Sequence, residues 1–185
     1  MTALPLTTTQ NGTWVIDPSH SDVTFSVRHL MISKVRGSFG KLSGEIKTDG
    51  ELETVEITAT LDAASITTND EGRDGHLRSA DFFDVETFPE ITFKSTGLVA
   101  TKKSDKFLVN GELTIKGVTK PVTLDLELGG VAVDGYGQTK AAASADTVIS
   151  RGDFGLTWNS TLETGGVLVG DEITIQLDIQ AVLQK

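Results

Sequence analysis

Apolar and polar residues alternate along most of this chain, and a period of two places successive side chains on opposite faces of a strand. Val23, Phe25, Val27 and His29 share one face, and Asp22, Thr24, Ser26 and Arg28 share the other. The pattern returns at Val55, Ile57, Ala59 and Leu61, at Ile91 and Phe93, and at Phe107, Val109, Gly111, Leu113 and Ile115. It continues at Val122, Leu124, Leu126 and Leu128, then at Ile173, Ile175, Leu177, Ile179 and Ala181. With further strands over residues 14–17, 35–48 and 140–149, nine segments carry the strand pattern, for a count of about eight strands. Within residues 35–48 the alternation changes phase, from Val35 and Phe39 to Leu42 and Ile46, accompanied by Gly37, Gly40 and Gly44. That signature predicts a bulge or a sharply bent corner.

One-sided antiparallel strands must cover their apolar faces. They do so either as two packed sheets or as a closed barrel, and periodicity does not choose between these. The exception to the strand pattern is residues 67–84, TTNDEGRDGHLRSADFFD, which predict one short helix. Thr68 and Glu71 have the spacing of a capping box, and Arg73, His76 and Leu77 fall at helical intervals. Gly129 to Gly137 and Gly165 to Gly170 read as loops.

The chain has 185 residues, a size suited to one domain. Residues 1–11 read as a flexible leader and residues 12–185 as the folded unit. The first ten residues lack a basic segment, an apolar core and a small-residue cleavage site, so the expected compartment is cytoplasmic. With no cysteine, the fold is independent of disulfides and thiolate metal clusters. Sixteen basic against 26 acidic residues give a net charge of −10, which disfavours nucleic acid and electrostatic adhesion to anionic bilayers. Nor is there an apolar run long enough for stable membrane insertion.

Residues that carry chemistry are few. Asp70, Glu71, Arg73, Asp74, His76, Arg78 and Asp81 form the densest polar cluster. Opposite charges three and four apart read as solvated ion pairs on a structural cap over one end of the sheet. His20, His29 and His76 lack the spacing of a helical metal site, so no metal is expected. His29 continues the face of Phe25 and Val27 and is expected to point inward. No phosphate loop, dinucleotide fingerprint or nucleophile elbow is present, and no enzyme activity is expected from motifs.

Six segments together resemble the YceI-like, or polyisoprenoid-binding, family: residues 14–30 (WVIDPSHSDVTFSVRHL), 35–41 (VRGSFGK), 69–84 (NDEGRDGHLRSADFFD), 88–93 (FPEITF), 113–122 (LTIKGVTKPV) and 154–159 (FGLTWN). The resemblance implies an all-β, eight-stranded antiparallel lipocalin-like barrel with a short helical segment near one end. It further implies non-catalytic binding, transport or storage of a polyisoprenoid, isoprenoid quinone or fatty-acid-type lipid, with no cofactor. Phe25, Val27, Phe39, Phe93, Phe107, Leu113, Leu124, Leu126, Trp158, Ile175 and Leu177 become the expected ligand wall, with His29 at the head group. Small inward residues, Ala59, Gly111, Ala141, Ala143 and Ala145, are expected to leave volume for the ligand. Members of this family are often periplasmic and often dimeric, so a homodimer is an option that the sequence neither supports nor excludes. The alternative reading is a stress-related structural or interaction protein with a filled barrel.

Overall fold

β-branched and aromatic side chains on one face, with Thr, Asp, Glu and Lys on the other, suit a pleated surface that is dry on one side. The computed structural model describes residues 11–51, 54–161 and 166–184. Of the expected leader, all but Asn11 lies outside the described residues. The strands are β1 (Gly12–Ile16), β2 (Asp22–His29), β3 (Ser33–Phe39), β4 (Leu42–Thr48), β5 (Glu56–Asp62), β6 (Ile66–Thr67), β7 (Glu90–Ala100), β8 (Lys106–Ile115), β9 (Val118–Val133), β10 (Thr139–Ser150) and β11 (Val169–Leu183). A single α-helix, α1 (Glu71–Arg78), accompanies them among the described residues, with three short 3-10 turns.

The strands form one sheet in the order β1-β4-β5-β7-β8-β9-β10-β11-β2-β3-β6, and β1 also pairs with β11, Trp14 facing Leu183. That last pairing closes the sheet into a barrel. Three of its staves are each broken into two strands. β1 and β2 both lie along β11; β4 and β3 lie along β1 and β2 in turn; β5 and β6 lie along β4 and β3. Counted by staves, the barrel is eight-stranded, antiparallel and closed, which settles the choice that periodicity left open.

The three breaks sit at one level and hold one another. Ser21 Oγ donates to the Gln180 carbonyl and accepts from the Gln180 amide, spanning the first break. The Gly40 amide donates to the Ser65 carbonyl, and the Lys41 amide to Ser65 Oγ, joining the second break to the third. The phase change read between Phe39 and Leu42 is this corner. The expected loop over 129–137 is shorter than anticipated. β9 continues through Gly129 and Gly130 to Val133, with a register shift opposite Ala142 and Ala143. Of the expected loop from Gly165 to Gly170, the first residue lies outside the described residues and Val169 and Gly170 already belong to β11.

Helix α1 and the turns after it close one end of the barrel. Its cap is Asp70, whose side chain accepts from the Arg73 amide, and not Thr68 as the capping-box spacing predicts. Thr68 is buried because it has another task. Its hydroxyl and amide donate to Asp74, 2.5 and 2.8 Å away, and Thr67 adds a third bond at 3.0 Å. Asp74 is only 3% exposed, which corrects the solvated-ion-pair reading of this residue. Arg78 donates to the Ala64 and Ile66 carbonyls, tying the helix to β6 and the turn before it.

Burial alone would raise the Asp74 pKa, but the Thr68 and Thr67 bonds and the Arg78 charge outweigh it and hold the carboxyl below its ordinary 3.8. A pKa depressed by folding contributes stability that is present above the unfolded value and lost as pH falls through the lower folded value. Asp74→Asn is therefore expected to cost about 2 kcal/mol at pH 7 and progressively less as pH falls below the ordinary carboxylate value, read by urea unfolding at neutral and at acidic pH. An equal loss at both would show that the charge plays no part.

Candidate functional site

The inward faces leave an apolar cavity of about 270 Å³ along the barrel interior. It runs beside three buried clusters. Ile91, Ile115 and Leu156 lie toward the capped end, Ile16, Val23 and Leu42 at mid-barrel, and Val109 toward the open end. Of the residues expected from the sequence, Phe25, Val27, Phe39, Phe93, Leu113, Leu124, Leu126, Ile175 and Leu177 stand in its wall.

Three do not. His29 ends β2 at a hairpin, where the stave runs out of the barrel, so its inward parity no longer points at the cavity. Phe107 lies at the opposite extreme of β8, beside the 101–106 turn, where it is 5% exposed and borders an outer groove. Trp158 belongs to the cap. Its ring meets those of His76 and Phe82 at centroid distances of 4.6 and 5.4 Å.

Small residues shape the cavity, although not all in the expected way. Ala59, Ala143 and Ala145 line it, whereas Ala141 does not. Gly111 leaves no void of its own, because the Phe93 ring covers it. A methyl there would collide with that ring and with the Lys94 carbonyl. Gly37 receives the Phe25 ring in the same manner, beside the Thr67 carbonyl. Both glycines let an aromatic ring lie back against the wall, and the volume appears at the centre of the barrel instead.

Arg151 is the one charged side chain in this wall among the described residues, and the motif reading missed it. The signal was its parity, since it follows Ala143, Ala145, Thr147 and Ile149 on the inward face. It is 6% exposed, and its guanidinium spends its donors on backbone. Nε donates to the Gly170 carbonyl at 2.8 Å, Nη1 to Leu156 and Trp158 at 2.5 and 2.9 Å, and Nη2 to Val169 at 3.3 Å. Burial pushes its pKa below the ordinary value, with Asp171 opposing, yet arginine keeps its charge. Asn159 reinforces the same junction, donating to the Val169 carbonyl and accepting from its amide as a strand partner would. The FGLTWN segment is thus clamped to the start of β11, and it brings Leu156 into the cavity wall.

The polar groups elsewhere are arranged for structure. Ser19, His20 and Asp17 lie together in a turn, but His20 Nδ1 is the atom near both partners, 3.1 Å from Ser19 Oγ and 2.8 Å from Asp17 Oδ2. A proton relay needs opposite ring nitrogens for the two contacts. Ser19 Oγ instead donates to Asp17 at 2.6 Å and, with His20, holds that carboxyl well below its usual range. His76 Nε2 and Asp81 pair at 2.9 Å on the cap. A groove of about 540 Å³ outside the barrel is bordered by Lys102, Lys103, Lys106, Asp125, Glu127 and Asp146, and this charged lining sets it apart from the apolar interior.

A family model described as the YceI-like domain matches residues 14–181. A UPF0312 protein of Staphylococcus aureus strain N315 is 37% identical over 167 residues, covering 88% of this chain and 93% of the relative. The crystal structure of Burkholderia cenocepacia BcnA superposes with a TM-score of 0.75 at 26% identity, covering 89% of this chain and 98% of that one. A polyisoprenoid binding domain from Saccharophagus degradans shares the fold at 16% identity and a TM-score of 0.71, covering 95% and 100% of the two chains.

Proposed function

Because the chain belongs to the YceI-like family, we propose that its barrel encloses an apolar isoprenoid or a related long-chain lipid, as a non-catalytic carrier or store. The observation that carries this reading is an interior cavity walled almost wholly by aliphatic and aromatic side chains, whose one charge is already satisfied by backbone carbonyls. Among the described residues no buried side-chain polar atom lacks a partner, so the interior offers a ligand little besides apolar contact. A polyisoprenoid binding domain of the same fold is consistent with that chemistry.

Magnitudes support retention by burial alone. At about 0.8 kcal/mol per buried methylene, ten carbons contribute roughly 8 kcal/mol. That is the scale of a micromolar Kd before the costs of ordering the chain. The volume of about 270 Å³ lies just under the roughly 300–1,000 Å³ of small-molecule pockets. It holds a segment of such a chain as it stands. A longer tail requires the walls to yield, and the Phe25, Phe39 and Phe83 rings, in sequence at 5.8 and 5.9 Å, are placed to do so. A filled barrel acting only through its surface has less support, since it leaves the cavity without a purpose. The test is the identity of whatever occupies the cavity in protein taken from its own host.

A further inference from the structure

The hairpin joining β2 to β3 has an unusual tip. Leu30 and Met31 both adopt left-handed backbone, with φ of 53° and 62°, and the Ile32 amide donates to the His29 carbonyl across them. Hairpin turns with two left-handed residues ordinarily use Asn-Gly, which takes that geometry without a clash. Here two large apolar residues occupy the strained positions and also face solvent. Leu30 is 36% exposed, Met31 56% and Ile32 84%, with Val167 beside them at 39%. No folding requirement explains this choice, because Asn-Gly would form the same turn more easily.

The flanks of the hairpin are as unusual as its tip. Residues 23–44 hold Arg28, Lys34, Arg36 and Lys41 and no acidic residue, in a chain of net charge −10. Arg28 and Lys34 face each other directly across the hairpin, and Arg36 follows opposite Ser26. Like charges placed opposite one another cost stability. None of these three makes an ion pair among the described residues, and Asp171, close by on β11, is turned to the Gly152 amide. β6 covers only Ser38 and Phe39 of β3, and cations there protect an exposed strand edge. Edge protection does not account for three exposed apolar side chains at the tip. At the base of the hairpin, Val27 and Val169 belong to the cavity wall.

We propose that this hairpin docks the protein on a bilayer containing anionic lipids. Leu30, Met31 and Ile32 enter the boundary between headgroups and acyl chains, and Arg28, Lys34 and Arg36 meet the phosphates. The overall charge opposes approach from a distance, but screening over about 8 Å leaves the local cationic row in control at contact. A convex tip three residues wide is too small for a stable protein interface, which buries about 800 Å² per partner. Shallow insertion requires no such area, and it differs from the stable insertion that the sequence excludes. The inference goes beyond the ligand assignment, since docking needs nothing inside the barrel.

Its test is co-sedimentation of the full chain with vesicles of phosphatidylcholine containing phosphatidylglycerol, against vesicles of phosphatidylcholine alone. The expected result is preferential binding to the anionic vesicles. It should fall at least severalfold in the Ile32→Asp variant, in the Arg28→Glu/Lys34→Glu variant and at high salt, and stay unchanged in Tyr136→Asp, whose side chain lies in the β9–β10 turn. The double variant Leu30→Asn/Met31→Gly separates docking from folding: it should raise the melting temperature and abolish vesicle binding. Absence of binding by the unaltered chain, equal binding to both vesicle types, or binding indifferent to the hairpin changes overturns the proposal.

Discussion

Replacing Arg151 with methionine is expected to destabilise the protein by about 3–5 kcal/mol, a drop of roughly 10 °C in melting temperature for a chain of this size. Methionine approximates the stem of arginine but supplies no donor. The carbonyls of Leu156, Trp158 and Gly170 would then be left without the partner that now gathers them, while that of Val169 keeps Asn159. An orphaned buried carbonyl costs on the order of 1–3 kcal/mol, and partial access of water keeps the total below a simple sum. Arg151→Lys should recover little, because an ammonium cannot reproduce a planar fork aimed at several acceptors. Urea and thermal unfolding read both variants. A loss under about 1 kcal/mol for Arg151→Met would mean that the carbonyls find other partners and that the clamp is dispensable.

The second large effect separates ligand loading from stability. Ala59 faces the cavity, opposite Gly44 on one side and Phe93 on the other. In a packed core, Ala59→Phe would cost about 1–3 kcal/mol by overpacking. If the ring enters free volume instead, stability is held or raised while the lipid is displaced. Expected, therefore, is an unchanged or higher melting temperature together with at least a tenfold loss of bound apolar ligand. Leu124→Glu should also lose ligand, here with a marked loss of stability, because it places an unpaired carboxylate in the same wall. Its outward neighbour provides the control, since Asp125→Lys changes charge on the solvent face and should leave loading intact. Ligand retained by Ala59→Phe and Leu124→Glu at the level of the control would place the lipid elsewhere.

Much of this arrangement was legible in the sequence, because period-two alternation reports directly which face of a strand is dry. It therefore placed on the inward face nine of the residues that border the cavity, including Phe25 in β2 and Leu177 in β11. Parity does not report level along the barrel axis. His29 and Phe107 share the inward face of their strands and still miss the cavity, because each sits where its strand leaves the barrel. Trp158 escapes for a different reason, lying outside the strand pattern in a segment whose position depends on the Arg151 clamp. That clamp was itself hidden, since a lone arginine in an apolar series offers no motif. Only its place just past the end of β10, continuing the inward parity of Ala143, Ala145, Thr147 and Ile149, marks it as buried.

The helix teaches a related lesson about short-range signals. Thr68 and Glu71 have the spacing of a capping box, yet Asp70 forms the cap and Thr68 turns inward to Asp74. Several side chains in that stretch are able to cap, and the buried carboxylate decides among them, a contact that spacing alone does not reveal. The barrel's closure was likewise beyond periodicity. It rests on Trp14 pairing with Leu183, two residues separated by almost the whole chain.

Direct observation of the cavity's occupant tests the central claim most plainly. Native mass spectrometry of the protein, purified without detergent from its own host, should show a population heavier than the bare chain, releasing an apolar isoprenoid or long-chain lipid on activation. That population should be depleted in Ala59→Phe. A bare-chain mass alone, from protein that also fails to take up a long-chain isoprenol when one is supplied, would contradict the account.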